Sequence, residues 1–224
     1  MTDAFYIFLA GASSGVGREI ASCLIKQNRQ VKALLRSETS RPELEAMGIK
    51  VVMGNALNVD NVERALLGEP LQSVISTIGG LPKDGERADY LGNKNLIDAA
   101  VKAGVQKFIL VSSIGSGNSA VALPPQALET LGPVLAEKEK AEKYLIASGL
   151  TYTIIRPGGL KSEPATGNGV LSENPKTAGT IHRADVALLV CRCLNSEGAN
   201  NKILSAVDRQ MVYGQALVEE FNLS

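Results

Sequence analysis

The sequence has little that would mark a secreted, metal-binding or disulfide-linked protein. Its 224 residues include no tryptophan, one histidine and only 4% aromatic residues. The three cysteines, Cys23, Cys191 and Cys193, form no zinc-binding spacing with one another or with the histidine. We therefore expect a reduced, cytoplasmic chain with no metal site, in which all three thiols are buried apolar side chains.

An excess of charge and long apolar runs are also lacking. Lysine and arginine number 23, as do aspartate and glutamate, so the net charge is zero and attracts neither nucleic acid nor an anionic membrane. Residues 1–4 carry no basic segment, and the apolar run 5–10 is shorter than a signal sequence or a membrane span requires. We expect a soluble protein, a monomer rather than an oligomer, whose partner is a small molecule.

What the sequence does contain is an alternation of apolar strands and helices. The predicted strands cover residues 4–10, 30–35, 49–53, 73–78, 107–112, 151–156 and 202–206. The predicted helices cover residues 16–27, 41–47, 59–67, 88–103, 135–148, 184–194 and 213–221. This alternation predicts βαβ units in one α/β domain spanning residues 1–224, a Rossmann fold with a doubly wound parallel sheet. Two irregular stretches, 115–132 and 158–181, follow strand ends on the side where such sheets bind ligands.

A glycine-rich loop joins the first predicted strand to the first helix. Its sequence is Gly11-Ala12-Ser13-Ser14-Gly15-Val16-Gly17. Glycines let the backbone approach a pyrophosphate, and a helix N-terminus supplies free N–H groups and a positive dipole. Serine hydroxyls in the loop would add donors. A tight strand–helix turn alone would also favour glycine, but the position at the first βα junction predicts a dinucleotide site.

The end of the second predicted strand indicates which dinucleotide is bound. NAD enzymes place an acid there, on the ribose 2′-hydroxyl, whereas this strand ends in Arg36 and the nearest acid, Glu38, is two residues further on. A guanidinium suits a 2′-phosphate, and Arg18 and Ser37 would assist it. The residue therefore predicts NADP(H), the alternative being that Arg36 is a solvated loop charge.

Two further segments carry a family resemblance. One runs from Lys138-Glu139-Lys140-Ala141-Glu142 to the segment 152–160, which contains Arg156-Pro157-Gly158, and the other is His182-Arg183-Ala184-Asp185. With the glycine loop, they make nearly the whole chain resemble the atypical short-chain dehydrogenases/reductases. The subgroup it resembles includes biliverdin-IXβ/flavin reductase, NmrA-like regulators and chloroplast import-associated dehydrogenases.

The resemblance implies further cofactor contacts. Gly11, Ser14 and Gly17 take the places of the three loop glycines, so the loop is a variant with serine in the middle. The other implied positions are Asn55 and Ala56 beside the adenine, Ile78, Gly79 and Gly80 beside the ribose, Ser112 and Ser113 at the active-site serine position, and Pro157 and Gly158 facing the nicotinamide.

The chain departs from most of the superfamily at the proton donor. Lys138 fits the position of the family's lysine, but Val134 stands where the catalytic tyrosine would be, and Tyr144 lies beyond the lysine. This departure is compatible with the biliverdin-IXβ/flavin reductase type, which also lacks the tyrosine. The candidate catalytic residues are therefore Ser113 and Lys138. Two alternatives stay open: Ser113 as a turn serine, and Lys138 as a solvated lysine of the charged run 137–143.

Three other polar or aromatic residues are interpreted as structural. The single histidine, His182, precedes a predicted helix with Asp185 in its first turn, which favours a structural role over catalysis. Tyr90 and Asn93 lie on the long helix 88–103, where packing is the expected role.

The reasoning from residues and resemblance leads to one main hypothesis and two alternatives. The main hypothesis is an NADPH-dependent reductase that transfers hydride to a flavin or a linear tetrapyrrole, a planar substrate stacked over the nicotinamide. Residues 79–87 would form one wall and residues 161–168 a lid, with Lys83, Arg87 or Lys161 pairing with substrate anions. The alternatives are a non-catalytic NADP(H)-binding regulator or assembly factor, and a quinone or other small-molecule oxidoreductase.

Overall fold

The computed structural model describes residues 5–79, 87–214 and 218–223. Its strands are β1 (Tyr6–Ala10), β2 (Val31–Leu35), β3 (Lys50–Met53), β4 (Leu71–Ser76), β5 (Lys107–Val111), β6 (Tyr152–Pro157), β7 (Gly159–Lys161), β8 (Gly169–Ser172), β9 (Thr180–His182) and β10 (Lys202–Asp208). Its α-helices are α1 (Gly15–Lys26), α2 (Arg41–Ala46), α3 (Val59–Leu67), α4 (Leu91–Ala103), α5 (Pro125–Ala147) and α6 (Arg183–Leu194). Short 3₁₀ helices cover Glu38–Ser40 and Gly117–Ala122.

Eight strands form one sheet in the order β3-β2-β1-β4-β5-β6-β10-β8. All neighbours pair in parallel except β10 and β8, which are antiparallel, and β7 pairs with β9 in a separate small parallel sheet. The strand order reverses between β1 and β4, which is where the connections of a doubly wound sheet leave a crevice at the carboxyl ends of the strands. The predicted Rossmann fold is confirmed.

The core lies on both faces of this sheet, and β1 shows why its strands are continuously apolar. Ile7 and Leu9 pack in the layer with α1 and α6, whereas Phe8 and Ala10 pack in the layer with α3, α4 and α5. A strand covered on both faces needs apolar residues at every position. This double cover fixes the strand ends that carry the site.

Helix α5 corrects one predicted boundary. The stretch 115–132 was expected to be irregular and the helix to begin at 135, but α5 begins at Pro125 and continues through Pro133. Proline usually ends or kinks a helix because it lacks an N–H donor, so Gly132-Pro133 indicated a boundary. Here Pro125 opens the first turn, where that donor has no intrahelical partner anyway.

The chain after β6 corrects two further predictions of secondary structure. The stretch 158–181 was expected to be irregular, but it contains β7, β8 and β9. A last helix over 213–221 is not formed by residues 213–214 and 218–221, the part of that range that the structure describes. Instead, the Tyr213 N–H donates to the Ala178 oxygen at 2.9 Å and the Phe221 N–H donates to the Leu171 oxygen at 2.7 Å, so long-range pairing overrides local propensity.

The predicted burial of the cysteine side chains is confirmed for two of the three. Cys191 and Cys193 are buried, and burial raises the pKa of Cys193 to about 12. Cys23 is only half-buried, and a hydrogen bond from the Cys191 thiol lowers the pKa of Cys23 to about 7. None of the helices in the described ranges is long and apolar enough to cross a membrane.

Candidate functional site

A cleft of about 620 Å³ opens at the carboxyl ends of the parallel strands, across the point where the strand order reverses. Such crevices are where open α/β sheets bind ligands. Of the described residues predicted as cofactor contacts or catalytic groups, all line this cleft except Gly158 and the two expected helpers of Arg36, Arg18 and Ser37. Those that do are Gly11, Ser13, Ser14, Gly15, Val16, Gly17, Arg36, Asn55, Ala56, Ile78, Gly79, Ser112, Ser113, Lys138 and Pro157.

The glycine loop forms one end of the cleft as a cradle of backbone. Ser14 is the N-cap of α1 in extended conformation, its side chain makes no capping bond, and no acid lies in the first turn. The first N–H groups of α1 therefore have no intrahelical acceptor and suit an anion. A Cβ on Gly17 would lie 2.0 Å from the Gly11 carbonyl oxygen, so only glycine lets α1 approach β1 this closely.

Arg36 stands at the end of β2 with its side chain exposed toward the cleft. The two expected helpers have other partners. Arg18 forms an ion pair with Glu43 and does not line the cleft, and the Ser37 hydroxyl accepts the Thr39 N–H at 3.3 Å. Arg36 is thus the cation that β2 presents to the cleft.

A tight turn after β3 forms the wall beside Arg36. The Asn55 N–H donates to Asn61 Oδ1 at 3.1 Å, and Asn55 Oδ1 accepts the Leu57 N–H at 3.0 Å. Asn95 on α4 donates to the Ala56 carbonyl oxygen at 2.9 Å. These bonds leave backbone and small side chains facing the cleft. We call the glycine loop, Arg36 and this turn the loop end.

At the opposite end of the cleft, Lys138 belongs to a buried charge cluster. Its Nζ lies 3.0 Å from Asp89 Oδ1, and Arg87 Nε lies 3.2 Å from Asp89 Oδ2. Asp89 is fully buried and the Lys138 side chain is 18% exposed, so the lysine is not simply a solvated member of its charged run. A Cβ on Gly79 would lie 2.4 Å from Asp89 Oδ1, so glycine is needed where this carboxylate meets the strand end. Asp89 was missed from the sequence because Lys138, the partner that links it to the cleft, lies on a distant element.

Two serines after β5 have different surroundings. Ser112 donates to Glu142 at 2.5 Å, and Glu142 is held by Arg156 in a buried two-pronged ion pair at 3.0 and 2.6 Å. Arg156 also donates to Asn118 at 2.6 Å, so this network fastens β5, β6 and α5 together. Ser113 is half-buried at the cleft and donates to the Ile114 oxygen at 2.9 Å, which leaves its own oxygen as an acceptor. We call Lys138, Asp89, Ser113, Pro157 and Leu160 the lysine end.

No tyrosine lines the cleft among the residues that the structure describes. Tyr144 donates to Asp98 Oδ1 on α4 at 2.6 Å, and Tyr90 packs edge-on against it with ring centroids 6.3 Å apart. Asn93 is buried and accepts the Ser76 hydroxyl at 2.6 Å, as its expected packing role requires.

Asp185 anchors a loop outside the cleft lining, and His182 lies beside this carboxylate. Asp185 accepts the N–H groups of Thr166 and Gly167 at 2.8 and 2.9 Å, and the Thr166 hydroxyl donates to Asp208 at 2.6 Å. His182, Asp185 and Asp208 are mutually close, with ligand atoms within 4.8 Å, but the loop's own donors occupy the carboxylates. His182 Nδ1 lies 3.7 Å from Asp185 Oδ2, and the structural role of His182 stays a prediction.

The segment after β6 differs from expectation. The Gly158 N–H donates to the Ala206 oxygen at 2.9 Å, and its open face is filled by the Gly179 carbonyl rather than by the cleft. Leu160 and Arg183 line the cleft instead. Both lie within the two segments that carry the family resemblance, but no local pattern indicates that their side chains face the cleft. Lys161 is exposed and is not a lining residue.

The structure describes the predicted substrate wall 79–87 only at its two ends, Gly79 and Arg87. Gly80, Lys83 and most of the wall 79–87 lie outside the described residues. Arg87 is described, and it pairs with Asp89 at 3.2 Å rather than standing as a free cation for a substrate.

Comparisons with known proteins agree with this geometry. The sequence family described as NAD(P)H-binding matches residues 11–197. The chain is 34% identical to an uncharacterized sugar epimerase, YhfK, of Bacillus subtilis, over 94% of this chain and 98% of that one. It is 28% identical to sanguinarine reductase of Eschscholzia californica, over 94% and 91%. Among solved structures it is similar to ChuY, an anaerobilin reductase of Escherichia coli O157:H7, with TM-score 0.85, 32% identity, and 94% and 100% coverage.

The matched span includes every residue that lines the cleft except Ala10, so it includes both the glycine loop and Arg183. The chain belongs to the NAD(P)H-binding family of Rossmann-type oxidoreductases.

Proposed function

We propose that this chain is an NADPH-dependent reductase that delivers hydride to a planar conjugated substrate, a linear tetrapyrrole or a flavin. The observation that carries the proposal is the composition of the lysine end, which offers a paired lysine, a serine and apolar walls, with no tyrosine among the described residues that line the cleft. Reducing a ketone requires a proton donor at the carbonyl oxygen, whereas a conjugated ring accepts hydride when it is stacked and oriented. ChuY and sanguinarine reductase, by their names, are reductases.

The cleft fits a dinucleotide by the shape of its loop end. The Gly11–Gly17 contact makes a cradle that a Cβ would fill, next to unpaired N–H groups suited to a pyrophosphate. NADPH in particular is favoured by Arg36, because a guanidinium can bind a phosphate through two parallel hydrogen bonds. The nearby acid, Glu38, is paired with Arg41 at 3.3 Å and so does not neutralise Arg36.

At the lysine end, the chain's own residues bind and orient. When bound, the cofactor supplies the hydride at its nicotinamide ring. Lys138 Nζ, held by Asp89, would donate to the nicotinamide ribose and keep the ring in place. Ser113 Oγ and the Leu160 side chain would border the substrate, Ser113 as an acceptor and Leu160 as an apolar face. The proton that completes the reduction would come from solvent through the open mouth of the cleft.

The name of the Bacillus subtilis relative suggests a different reaction, and the geometry speaks against it here. Epimerising a sugar requires acid–base help at a hydroxyl group. Tyr144 is committed to Asp98, and Val134 occupies the position of the family tyrosine. The lysine end therefore suits hydride transfer to a ring better than chemistry at a sugar hydroxyl.

The test is NADPH consumption at 340 nm with FMN, biliverdin and a quinone as separate acceptors, with NADH in parallel. We expect turnover with at least one planar acceptor, faster with NADPH than with NADH. Tight NADPH binding without consumption of any acceptor would instead favour the regulator or assembly-factor alternative. Activity confined to the quinone would favour the alternative oxidoreductase.

A further inference from the structure

Arg183 lines the cleft close to the glycine loop, although it belongs to a distant part of the sequence. It is the first residue of α6, it lines the cleft and it is half-buried. A Cβ on Gly15 would meet Arg183 Nε first, at 3.7 Å. Gly15 is the first residue of α1, so a guanidinium faces the N-terminus of that helix.

Two positive features therefore face each other. The N-terminus of α1 carries the positive end of the helix dipole, and no acid lies in its first turn. In the described part of the chain, Arg183 has no carboxylate within ion-pair distance, and its Nη1 donates to Ser162 Oγ at 2.8 Å and the Leu160 oxygen at 3.4 Å. A guanidinium facing a helix N-terminus without an acid is unfavourable by itself, and it becomes favourable when an anion lies between them.

We propose that Arg183 binds the diphosphate of the dinucleotide from the side opposite the glycine loop. The loop's N–H groups would bind one face of the diphosphate and the guanidinium the other. Because the same guanidinium holds Leu160 and Ser162, the diphosphate would also fix the segment that borders the substrate. The proposal rests on the proposed function only in requiring a dinucleotide in this cleft, and it does not depend on hydride transfer.

The proposal assigns different phosphates to the two arginines. Arg36, at the end of β2, would bind the 2′-phosphate, whereas Arg183 would bind the diphosphate that NADPH and NADH share. Loss of Arg183 should therefore weaken both cofactors alike, and loss of Arg36 should weaken NADPH alone.

Nucleotide fragments separate these contributions without any activity measurement. ADP carries a diphosphate and no 2′-phosphate, and 2′-AMP carries the reverse. By titration calorimetry, we expect Arg183→Met to weaken ADP about ten- to hundred-fold, the usual range for a hydrogen bond to a charged group, and to change 2′-AMP by less than about two-fold. Arg36→Ala should instead weaken 2′-AMP about ten- to hundred-fold and change ADP by less than about two-fold.

Two further variants control the experiment. Arg183→Lys keeps the charge but loses the planar fork, so it should recover part of the ADP affinity. Arg192→Met removes an exposed arginine near the other end of the same helix and should leave both fragments unaffected. Circular dichroism establishes that each variant is folded.

The outcomes distinguish this proposal from the proposed function. Unchanged ADP affinity in folded Arg183→Met, with NADPH still reducing an acceptor, overturns the role of Arg183 and leaves the reductase standing. If the unmodified protein binds neither ADP nor NADPH, both proposals are wrong. Weakened ADP binding with no turnover in the unmodified protein supports the diphosphate role and contradicts the reductase.

Discussion

The loop end of the cleft is built mostly from backbone, whereas the lysine end is built from side chains that meet across distant elements. At the loop end, Gly11 and Gly17 touch through their backbones and the free N–H groups belong to one helix. At the lysine end, Lys138 on α5 meets Asp89, which precedes α4, at 3.0 Å. A backbone cradle binds any ligand with the right phosphates, so the choice of reaction depends on the lysine end.

The largest effect should follow from filling the backbone cradle. Gly17→Ala places a Cβ 2.0 Å from the Gly11 oxygen, and the contact is backbone, which cannot rotate away. We expect NADPH affinity to fall by more than about 100-fold, and the free energy of unfolding to fall by about 1–3 kcal/mol, the usual cost of overpacking. Calorimetry and thermal unfolding measure the two effects.

A matched control for this substitution exists in α5. A Cβ on Gly132 would meet nothing within 4 Å. Gly132 also lies outside the cleft, so Gly132→Ala should leave NADPH binding intact. Equal NADPH affinity in the two alanine variants would show that the cradle does not hold the cofactor.

The next largest effect should follow from removing the Arg36 side chain, the cation at the loop end. Arg36→Ala should lower NADPH affinity about 10- to 100-fold and leave NADH affinity nearly unchanged, because the variant loses a charged hydrogen bond to the 2′-phosphate alone. Fluorescence titration with both cofactors measures the ratio.

Arg41 supplies the control, since it is an exposed arginine nearby that pairs with Glu45 at 2.8 Å and does not line the cleft. Arg41→Ala should keep the preference for NADPH. A parallel loss of NADH affinity in Arg36→Ala would contradict the assignment to the 2′-phosphate.

A smaller and more selective effect is expected at the lysine end. Lys138→Met should lower kcat about ten-fold, with a minor change in NADPH affinity, because positioning is lost and phosphate binding is kept. It also leaves Asp89 buried with fewer partners, which should lower the free energy of unfolding. Lys140→Met removes an exposed lysine that pairs with Glu137 and should alter neither quantity.

The double variant Lys138→Met/Asp89→Asn separates catalysis from stability. With both charges removed, much of the stability should return but kcat should stay low. Recovery of kcat together with stability would show that Lys138 serves the fold alone.

The smallest effect should come from substituting Tyr144, which lies on α5 beyond Lys138 and not at the position of the family's catalytic tyrosine. Tyr144→Phe removes a hydrogen bond to Asp98 outside the cleft. The free energy of unfolding should fall by about 1 kcal/mol, and turnover should stay within about two-fold of the unmodified protein. A ten-fold loss of kcat in a stable Tyr144→Phe protein would mean that this residue is the proton donor after all.

The contrast between the loop end and the lysine end also explains which site residues could be predicted from the sequence. The glycine loop and Arg36 are local signals at strand ends, and the fold's own geometry brings them to one cleft. Asp89 and Arg183 carry no such signal, because Asp89 pairs with the distant Lys138, and Arg183 contacts Leu160 and lies near Gly15, which are also distant in the sequence. Lys138 itself could be proposed only through the family resemblance.

The errors in secondary structure have the same origin. Helix α5 continues through Pro133, which a local rule takes as a boundary, and β8 forms by antiparallel pairing with β10. The segment predicted as a last helix pairs instead with residues 171 and 178. In the last two cases a long-range contact overrides the local pattern.

The measurement that tests the central claim most directly is the transfer of deuterium from NADPH labelled at the nicotinamide C4 position to a planar acceptor. The reaction is run without oxygen, with biliverdin or FMN in turn, and biliverdin product is examined by mass spectrometry. For FMN, whose reduced N5–H exchanges with water, the isotope effect on reduction replaces the mass readout. The account predicts deuterium in the reduced tetrapyrrole, or a primary isotope effect with FMN, and slower transfer in Lys138→Met. Bound NADPH that keeps its deuterium with every acceptor would contradict the account.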